Sequence, residues 1–120
     1  MLFPPISRHA DVWTDIARMR TLNTEQSKRQ KENHVCPLQL DIIKRLITRY
    51  TNAGEVVLDP FGGIGSVPYQ AIKMGRDGWM IELNEEYWRC GVGYCEQAEA
   101  QRDVPTLFDM AELAVEGAAA

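Results

Sequence analysis

A run of glycines directly after an acidic residue is the part of this sequence best suited to hold a ligand. The stretch reads Asp59, Pro60, Phe61, Gly62, Gly63, Ile64, Gly65 and Ser66. Glycine tolerates a positive φ in a tight turn, and its missing side chain lets backbone N–H groups approach a bound molecule closely. We therefore expect a cofactor to lie against this bare backbone.

The residues on either side of the glycines predict a strand, a loop and a helix. Val56, Val57 and Leu58 are typical of a short buried strand, and a helix-like run begins near Ser66. This order is that of a nucleotide-binding unit. Its Gly-Gly-x-Gly spacing differs from the Gly-x-Gly-x-x-Gly of dinucleotide sites, in which a pyrophosphate lies at the helix N-terminus. The sequence therefore favours a ligand other than a dinucleotide.

A second acidic residue, Glu82, ends another predicted strand. It follows Asp59 at close to the spacing of about 20 residues at which an acidic side chain binds a ribose in doubly wound folds. Its carboxylate can accept hydrogen bonds from both sugar hydroxyls. A carboxylate at a strand end can instead cap the next helix, so two roles are open for Glu82.

Residues 59–66 resemble the motif with which the DNA amino-methyltransferases (adenine-N6 and cytosine-N4) bind S-adenosyl-L-methionine (AdoMet). In that motif a strand ends in an acidic or small residue, and Pro-Phe-x-Gly-x-Gly follows. The resemblance covers about residues 11–115 and implies methyl transfer from AdoMet to the exocyclic amine of adenine or cytosine in DNA. The cofactor-binding residues that it implies here are Asp59, Pro60, Phe61, Gly62, Gly63, Gly65, Ser66, Glu82, Leu83 and Asn84.

The resemblance gives both acidic residues a role in binding AdoMet. Glu82, within an Ile-Glu-Leu-Asn segment, would bind the ribose. Asp59 would accept a hydrogen bond from the amino group of the cofactor or stabilise its sulfonium electrostatically. Asp also commonly bonds backbone amides in turns, so a structural role for Asp59 within the loop remains open.

A second stretch, residues 33–39, resembles another cofactor motif of the same family, a His-x-Cys-Pro-Leu segment that opens a helix beside the methionine end of AdoMet. The matching residues are His34, Cys36, Pro37, Leu38 and Gln39. Family members often carry Lys where this chain has Asn33. His34 could also be a structural or surface histidine, and nothing in the sequence suggests a base or metal role for it.

The sequence offers no candidate catalytic residue. Related enzymes hold a flipped base with an Asp-Pro-Pro-Tyr or Asn-Pro-Pro-Tyr motif, whereas the one Pro-Pro pair here lies between Phe3 and Ile6. We therefore expect the AdoMet-binding portion of a DNA methyltransferase, truncated or split from its catalytic half, with DNA as partner of the complete enzyme. Two alternatives remain: a non-catalytic module that completes a partner chain, and an inactive remnant with exposed apolar surface.

The expected fold is α/β, a partial doubly wound parallel sheet of the Rossmann-like methyltransferase type. A helix over 36–50, with Pro37 in its first turn, should cover the sheet with Ile42, Ile43, Leu46, Ile47 and Tyr50. A helix over 67–74 ending at Gly75, a buried strand over 79–83 and a helix capped by Asn84 should follow.

The chain divides into three predicted segments. Residues 1–33 form an extended or mobile connector with only a weak helical pattern over 11–19, residues 34–115 form the AdoMet-binding subdomain, and residues 116–120 fray. A short amphipathic helix is expected after Val104.

Composition is that of one small soluble domain, with 120 residues, 45% hydrophobic and 25% charged. Without a run of about 18 apolar residues or a leader, a cytoplasmic protein is the expectation. The odd count of three cysteines, Cys36, Cys90 and Cys95, predicts reduced packing residues and no metal site.

The net charge of -4 is unevenly divided along the chain. Residues 1–50 carry nine Lys and Arg against five Asp and Glu, and residues 51–120 carry four against twelve. The basic residues either face a phosphate backbone or form a solvated face. Those concerned are Arg18, Arg20, Lys28, Arg29 and Lys31.

Overall fold

The protein alternates helices and strands, as predicted. A computed structural model describes residues 11–22 and 37–104. Within those ranges the elements, in chain order, are α1 (Leu40–Tyr50), β1 (Val56–Asp59), α2 (Ser66–Lys73), β2 (Asp77–Met80) and α3 (Glu85–Arg102). The α/β class is therefore confirmed. The amphipathic helix predicted after Val104 lies outside the described residues.

β1 and β2 form a parallel pair joined by the crossover helix α2. Leu58 lies opposite Trp79 in the register. Hydrogen bonds continue past the strand ends, because the Ile81 amide donates to the Asp59 carbonyl at 2.9 Å and the Gly62 amide donates to the Ile81 carbonyl at 2.9 Å. The chain segments that carry Asp59 and Glu82 therefore run side by side out of the sheet.

The apolar core lies among the helices and on one face of the sheet. Its buried members are Leu22, Leu40, Ile43, Ile47, Ile64 and Ala71. On this face Gly78 of β2 lies directly under Pro68 of α2, where an added Cβ would come within 2.6 Å of the Pro68 backbone. The helix and the sheet can approach closely only because position 78 lacks a side chain.

The other face of the sheet is exposed, so the prediction of two buried strands is wrong for this face. Val56 and Leu58 of β1, and Trp79 and Ile81 on the segment of β2, each leave more than half of their surface open. Successive side chains of a strand point to opposite faces, and α2 lies against only one of them. In the described part of the chain, no element covers the face that carries these four side chains.

The second strand also starts and ends earlier than predicted. It spans Asp77–Met80 instead of 79–83, because Asp77 and Gly78 already pair with Val56 and Val57. The close contact of Gly78 with Pro68 leaves no room for a side chain at this position of the strand.

Helix α1 begins at Leu40, four positions after the start of the predicted 36–50 helix. Gln39 is still extended, and the Leu40 amide donates to the Arg20 carbonyl at 2.9 Å. A contact with a distant segment therefore fixes the helix start. The helix packs against α2 more than over the sheet, and Leu46 and Tyr50 remain exposed.

Residues 11–22 contain no helix or strand, yet they lie against α1. Asp41 accepts hydrogen bonds from the Ala17 amide at 3.0 Å and from Arg20 at 2.9 Å. Arg45 pairs with Asp15, at 2.5 Å between Nη2 and Oδ2, and its guanidinium lies 4.7 Å from the ring centre of Trp13. This segment is thus attached to the first helix by charge pairs and an aromatic contact.

The ends of α2 and α3 agree with the sequence signals. Gly75 follows α2 with a φ of 74°, the left-handed conformation that favours glycine after a helix. Asn84 caps α3, with its side chain accepting from the Tyr87 amide at 3.1 Å. Both predicted helix boundaries are confirmed. None of the helices described here is long and apolar enough to cross a membrane.

Candidate functional site

The carboxylate of Glu82 connects the glycine loop (residues 60–65) to the start of α3. Its Oε2 accepts a hydrogen bond from the Gly63 amide at 2.8 Å, and its Oε1 accepts one from the Asn84 amide at 2.8 Å. The side chain is half-buried just beyond the carboxyl end of β2. This is the edge at which open α/β sheets bind their ligands. Glu82 therefore makes the contact with the start of the next helix that was one of its two possible roles. It also lies where a ligand can reach it.

Asp59 supports the same loop from its other end. Its Oδ1 accepts from the Phe61 amide at 2.9 Å, two residues further along. This is the local turn that Asp side chains commonly make. The backbone-bonding role that the sequence left open for Asp59 is thus present, and contact of Asp59 with a cofactor stays a prediction.

Each of the three glycines in the loop is required for a different structural reason. Gly65 has a φ of 88° and caps α2, and an added Cβ there would lie 2.8 Å from Gly91 Cα. Gly62 is packed against Met80, since its Cβ would lie 2.7 Å from Met80 Cβ. Gly63, with a φ of 55°, turns its amide to Glu82. Packing within the protein therefore explains two of these glycines before any ligand is considered.

Exposed apolar side chains flank the loop. Phe61 is 88% exposed and Leu83 is 98% exposed, each just after the carboxyl end of a strand. Pro60 is also exposed, whereas Ser66, the first residue of α2, is buried. Phe61 and Leu83 thus offer exposed apolar surface to a flat ring near this edge of the sheet.

The second predicted motif is only partly within the described chain. His34 and Cys36 lie outside the described residues. Pro37 is half-buried in the extended stretch before α1. Leu38 is exposed and lines an apolar cavity of about 320 Å³ to which α1, β1 and Val67 in the first turn of α2 also contribute.

The structure therefore groups most of the predicted site residues at one edge. Contacts join the loop to the segment after β2, and the residues concerned are Asp59, Phe61, Gly62, Gly63, Gly65, Glu82 and Asn84. Their assignment to a bound cofactor stays a prediction. The sequence analysis did not single out Met80 and Gly91, which pack against Gly62 and Gly65 of the loop. The signal available for Gly91 was its position inside a predicted helix, where glycine is unfavourable and so suggests a close packing contact.

Of the two cysteines described in the structure, Cys95 is not activated as a nucleophile. Cys90 and Cys95 are half-buried and unbridged. Burial raises the pKa of the Cys95 thiol, and the nearby carboxylates of Glu96 and Glu99 raise it further. A raised pKa keeps the thiol protonated and unreactive. Within residues 11–22 and 37–104, no group of three or more His, Cys, Asp or Glu side chains could hold a metal ion.

Comparison with known proteins identifies the sequence family. A family model described as DNA methylase, of the N6/N4 class, matches residues 6–92. DNA adenine methyltransferase YhdJ of Escherichia coli is 38% identical over 82 residues, which are 68% of this chain and 26% of YhdJ. Type II methyltransferase M.BamHI of Bacillus amyloliquefaciens is 42% identical over 74 residues, 62% of this chain and 16% of M.BamHI.

Among solved structures, TTHA0409 of Thermus thermophilus, complexed with S-adenosyl-L-methionine, is 31% identical with a TM-score of 0.49. The alignment covers 52% of this chain and 26% of TTHA0409. The chain spans about a quarter or less of the length of YhdJ and M.BamHI. Because the family model matches well over half of the sequence, this chain belongs to the N6/N4 DNA methylase family.

Proposed function

We propose that this chain is the AdoMet-binding portion of a DNA methyltransferase that acts on the exocyclic amine of adenine or cytosine. The observation that carries the proposal is the contact between Glu82 and the Gly63 amide. It places an acidic side chain and a glycine-rich backbone together beyond the parallel strands, which is the arrangement that binds a nucleoside in α/β folds.

The acceptor and apolar groups at this edge fit AdoMet. A carboxylate offers about four lone-pair positions, so the Glu82 carboxylate can hold two backbone amides and also accept the ribose hydroxyls. The exposed Phe61 ring and Leu83 side chain offer apolar surface against which the adenine can pack. The first turn of α2, which carries the positive end of the helix dipole, favours the methionine carboxylate. When bound, AdoMet supplies an electrophilic methyl group.

The pocket for the base that accepts the methyl group would be formed by residues other than those of the proposed AdoMet site. A base in a duplex must be flipped out before its amine can meet the methyl donor. We propose that an Asn/Asp-Pro-Pro-Tyr segment outside this sequence holds the flipped base, and that DNA is the partner of the assembled enzyme. The role of this chain is then to bind and orient the donor.

A second candidate function is that of a module that completes a partner chain, and the exposed sheet face favours it. Parallel sheets occur almost entirely with both faces covered by helices. Here the face of Val56, Leu58, Trp79 and Ile81 lacks cover from any described element. We propose that a polypeptide carrying the catalytic half docks there and covers this face with helices, as parallel sheets require.

Titration calorimetry with AdoMet tests the proposed site. We expect saturable binding by the full chain and a loss of about tenfold or more in Glu82→Ala, since a hydrogen bond to a charged group contributes about 1.5–3 kcal/mol. Glu86→Ala is the matched control, because Glu86 is an exposed glutamate in the first turn of α3. This variant should bind as the wild type does. Equal binding by wild type and Glu82→Ala would remove Glu82 from the site.

Trp79 reports on the docking face. Adding a separately produced polypeptide with the catalytic motif should shift the Trp79 fluorescence to the blue, because docking removes water from its exposed indole. Trp79→Lys should abolish complex formation in size-exclusion chromatography without unfolding this chain. A complex that forms equally well with Trp79→Lys would place the interface elsewhere.

A further inference from the structure

Met80 fills the space between the glycine loop and α3. It is the last residue of β2, and its side chain points toward the helices. A Cβ added to Gly62 would lie 2.7 Å from Met80 Cβ and 2.9 Å from its Sδ. A Cβ added to Gly91 would overlap Met80 Cε and lie 3.1 Å from Sδ. One methionine thus touches two backbones that both lack a side chain.

Gly91 also meets the far end of the loop directly. A Cβ added to Gly65 would lie 2.8 Å from Gly91 Cα, and one added to Gly91 would lie 3.3 Å from the Ile64 carbonyl oxygen. The loop therefore rests on α3 at two points, through Met80 at Gly62 and through bare backbone at Gly65. Glycine is the least favourable ordinary residue inside a helix, so this double contact gives a physical reason for it at position 91.

We propose that Met80 and Gly91 form a positioning pair that sets the place of the glycine loop relative to Glu82. From Met80 the chain continues through Ile81, whose carbonyl accepts from the Gly62 amide, to Glu82, which accepts from the Gly63 amide. Protein interiors are close-packed and transmit displacement. Met80 meets Gly62 through its Cβ, close to the backbone, so a displacement of Met80 at this point moves Gly62 and with it the neighbouring Gly63 amide that meets Glu82. This inference rests on the proposed function for its consequence in AdoMet binding.

Alanine substitutions at two glycines of α3 separate positioning from helix propensity. Gly91→Ala adds a methyl group against Met80, whereas a Cβ at Gly93 would meet nothing within 4 Å. The Met80 Cε that the new methyl group meets is the flexible end of that side chain, whereas the Ile64 carbonyl oxygen, 3.3 Å away, belongs to the loop backbone. In titration calorimetry with the full chain, we expect Gly91→Ala to weaken AdoMet binding about threefold. Gly93→Ala should bind as the wild type does.

Met80→Ala removes the side chain that both glycine contacts share. If Met80 sets the loop, this variant should itself weaken AdoMet binding. Adding Gly91→Ala to it should then change affinity less than Gly91→Ala changes that of wild type, because the new methyl group enters space that the methionine has left. An affinity of Met80→Ala equal to that of wild type would overturn the proposal. Strictly additive losses in the double variant would also overturn it, since the coupling through Met80 would then be absent.

A measurement without ligand keeps this inference distinct from the proposed function. In ¹H–¹⁵N NMR spectra of the free chain, the Gly63 amide resonance reports its hydrogen bond to Glu82. We expect Gly91→Ala and Met80→Ala each to shift it, and Gly93→Ala to leave it in place. If wild type binds no AdoMet, the proposed function fails while these shifts still decide the positioning pair. An unmoved Gly63 resonance in Gly91→Ala would show that Met80 does not set the loop.

Discussion

Gly63 donates its amide to Glu82 Oε2 across 2.8 Å, which ties the loop after the first strand to the segment after the second. The two residues are distant in sequence, and the parallel pairing of β1 with β2 brings them together. The second oxygen of the same carboxylate holds the Asn84 amide at the start of α3. Any ligand bound through Glu82 is consequently placed relative to both the loop and α3.

Asp59→Asn should leave the loop intact and weaken AdoMet binding less than Glu82→Ala does. The asparagine keeps an oxygen that can accept from the Phe61 amide, so the turn survives. Asp59→Ala removes that acceptor and should lower the free energy of unfolding by about 1 kcal/mol. Calorimetric titration together with thermal unfolding measures both effects. If Asp59→Asn weakened binding more than Glu82→Ala, the Asp59 charge would contact the cofactor.

Gly93→Ala and Gly75→Ala should change stability in opposite directions. An added Cβ meets nothing within 4 Å at either position, so packing does not separate them. Gly93 lies inside α3, where alanine is favoured over glycine by about 1 kcal/mol. Gly75 has a φ of 74°, a conformation that costs an alanine about 1–2 kcal/mol. Urea unfolding should show a higher midpoint for the first variant and a lower one for the second, and the same sign for both would contradict the left-handed turn.

Attachment of residues 11–22 to α1 should weaken in acid. Arg45 donates to Asp15 and holds the pKa of that carboxyl below its usual value of about 3.9. A carboxyl with a lowered folded-state pKa stabilises the protein above its unfolded pKa, and this contribution is lost as the pH falls through the lowered value. The fluorescence of Trp13, which lies over the Arg45 guanidinium, should change in that range.

Asp15→Asn is the control for the acid effect. It should show the acid form of the Trp13 signal already at neutral pH, and titration toward acid should add no further change at this site. Since Trp79 and Trp88 also fluoresce, the comparison requires a background in which both are replaced by Phe. A Trp13 signal in Asp15→Asn that matched wild type at neutral pH would show that the charge pair does not hold the segment.

The chain alone should transfer no methyl group to DNA. The proposed site would hold the methyl donor, but the sequence has no Asn/Asp-Pro-Pro-Tyr motif to hold a flipped base. Incubation with tritiated AdoMet and mixed-sequence DNA measures transfer directly, and the same assay with an added catalytic half is the positive control. Label in DNA with the chain alone would mean that a catalytic group lies among residues assigned other roles here.

Local signals predicted the element order and the helix ends well. Asn84 and Gly75 could be read from sequence because a cap or a left-handed residue depends on neighbours in the chain. The start of α1 could not, because the Leu40 amide is bound by Arg20, a contact between distant segments. The exposed side chain of Trp79 was likewise invisible, since sequence shows apolar character but not which face an element covers.

For the proposed site, the sequence predicted candidate ligand-binding residues but not the packing contacts that hold them in place. The glycine spacing and Glu82 predicted the loop and the acidic residue beside it, and the structure brings Gly63 and Glu82 into contact. Gly62 was interpreted as space for a ligand, whereas Met80 packs against it. The packing of Met80 between Gly62 and Gly91 depends on three elements at once, and no local pattern encodes it.

The most direct test of the central claim pairs a change in Glu82 with a change in the ligand. Wild type and Glu82→Ala would each be titrated with AdoMet and with its 2′,3′-dideoxy analogue, which lacks the ribose hydroxyls. If Glu82 binds the ribose, wild type should lose about tenfold or more in affinity for the analogue, and Glu82→Ala should bind both ligands about equally weakly. Equal discrimination between the two ligands by wild type and Glu82→Ala would contradict the claim, because the hydroxyls would then be recognised by another group.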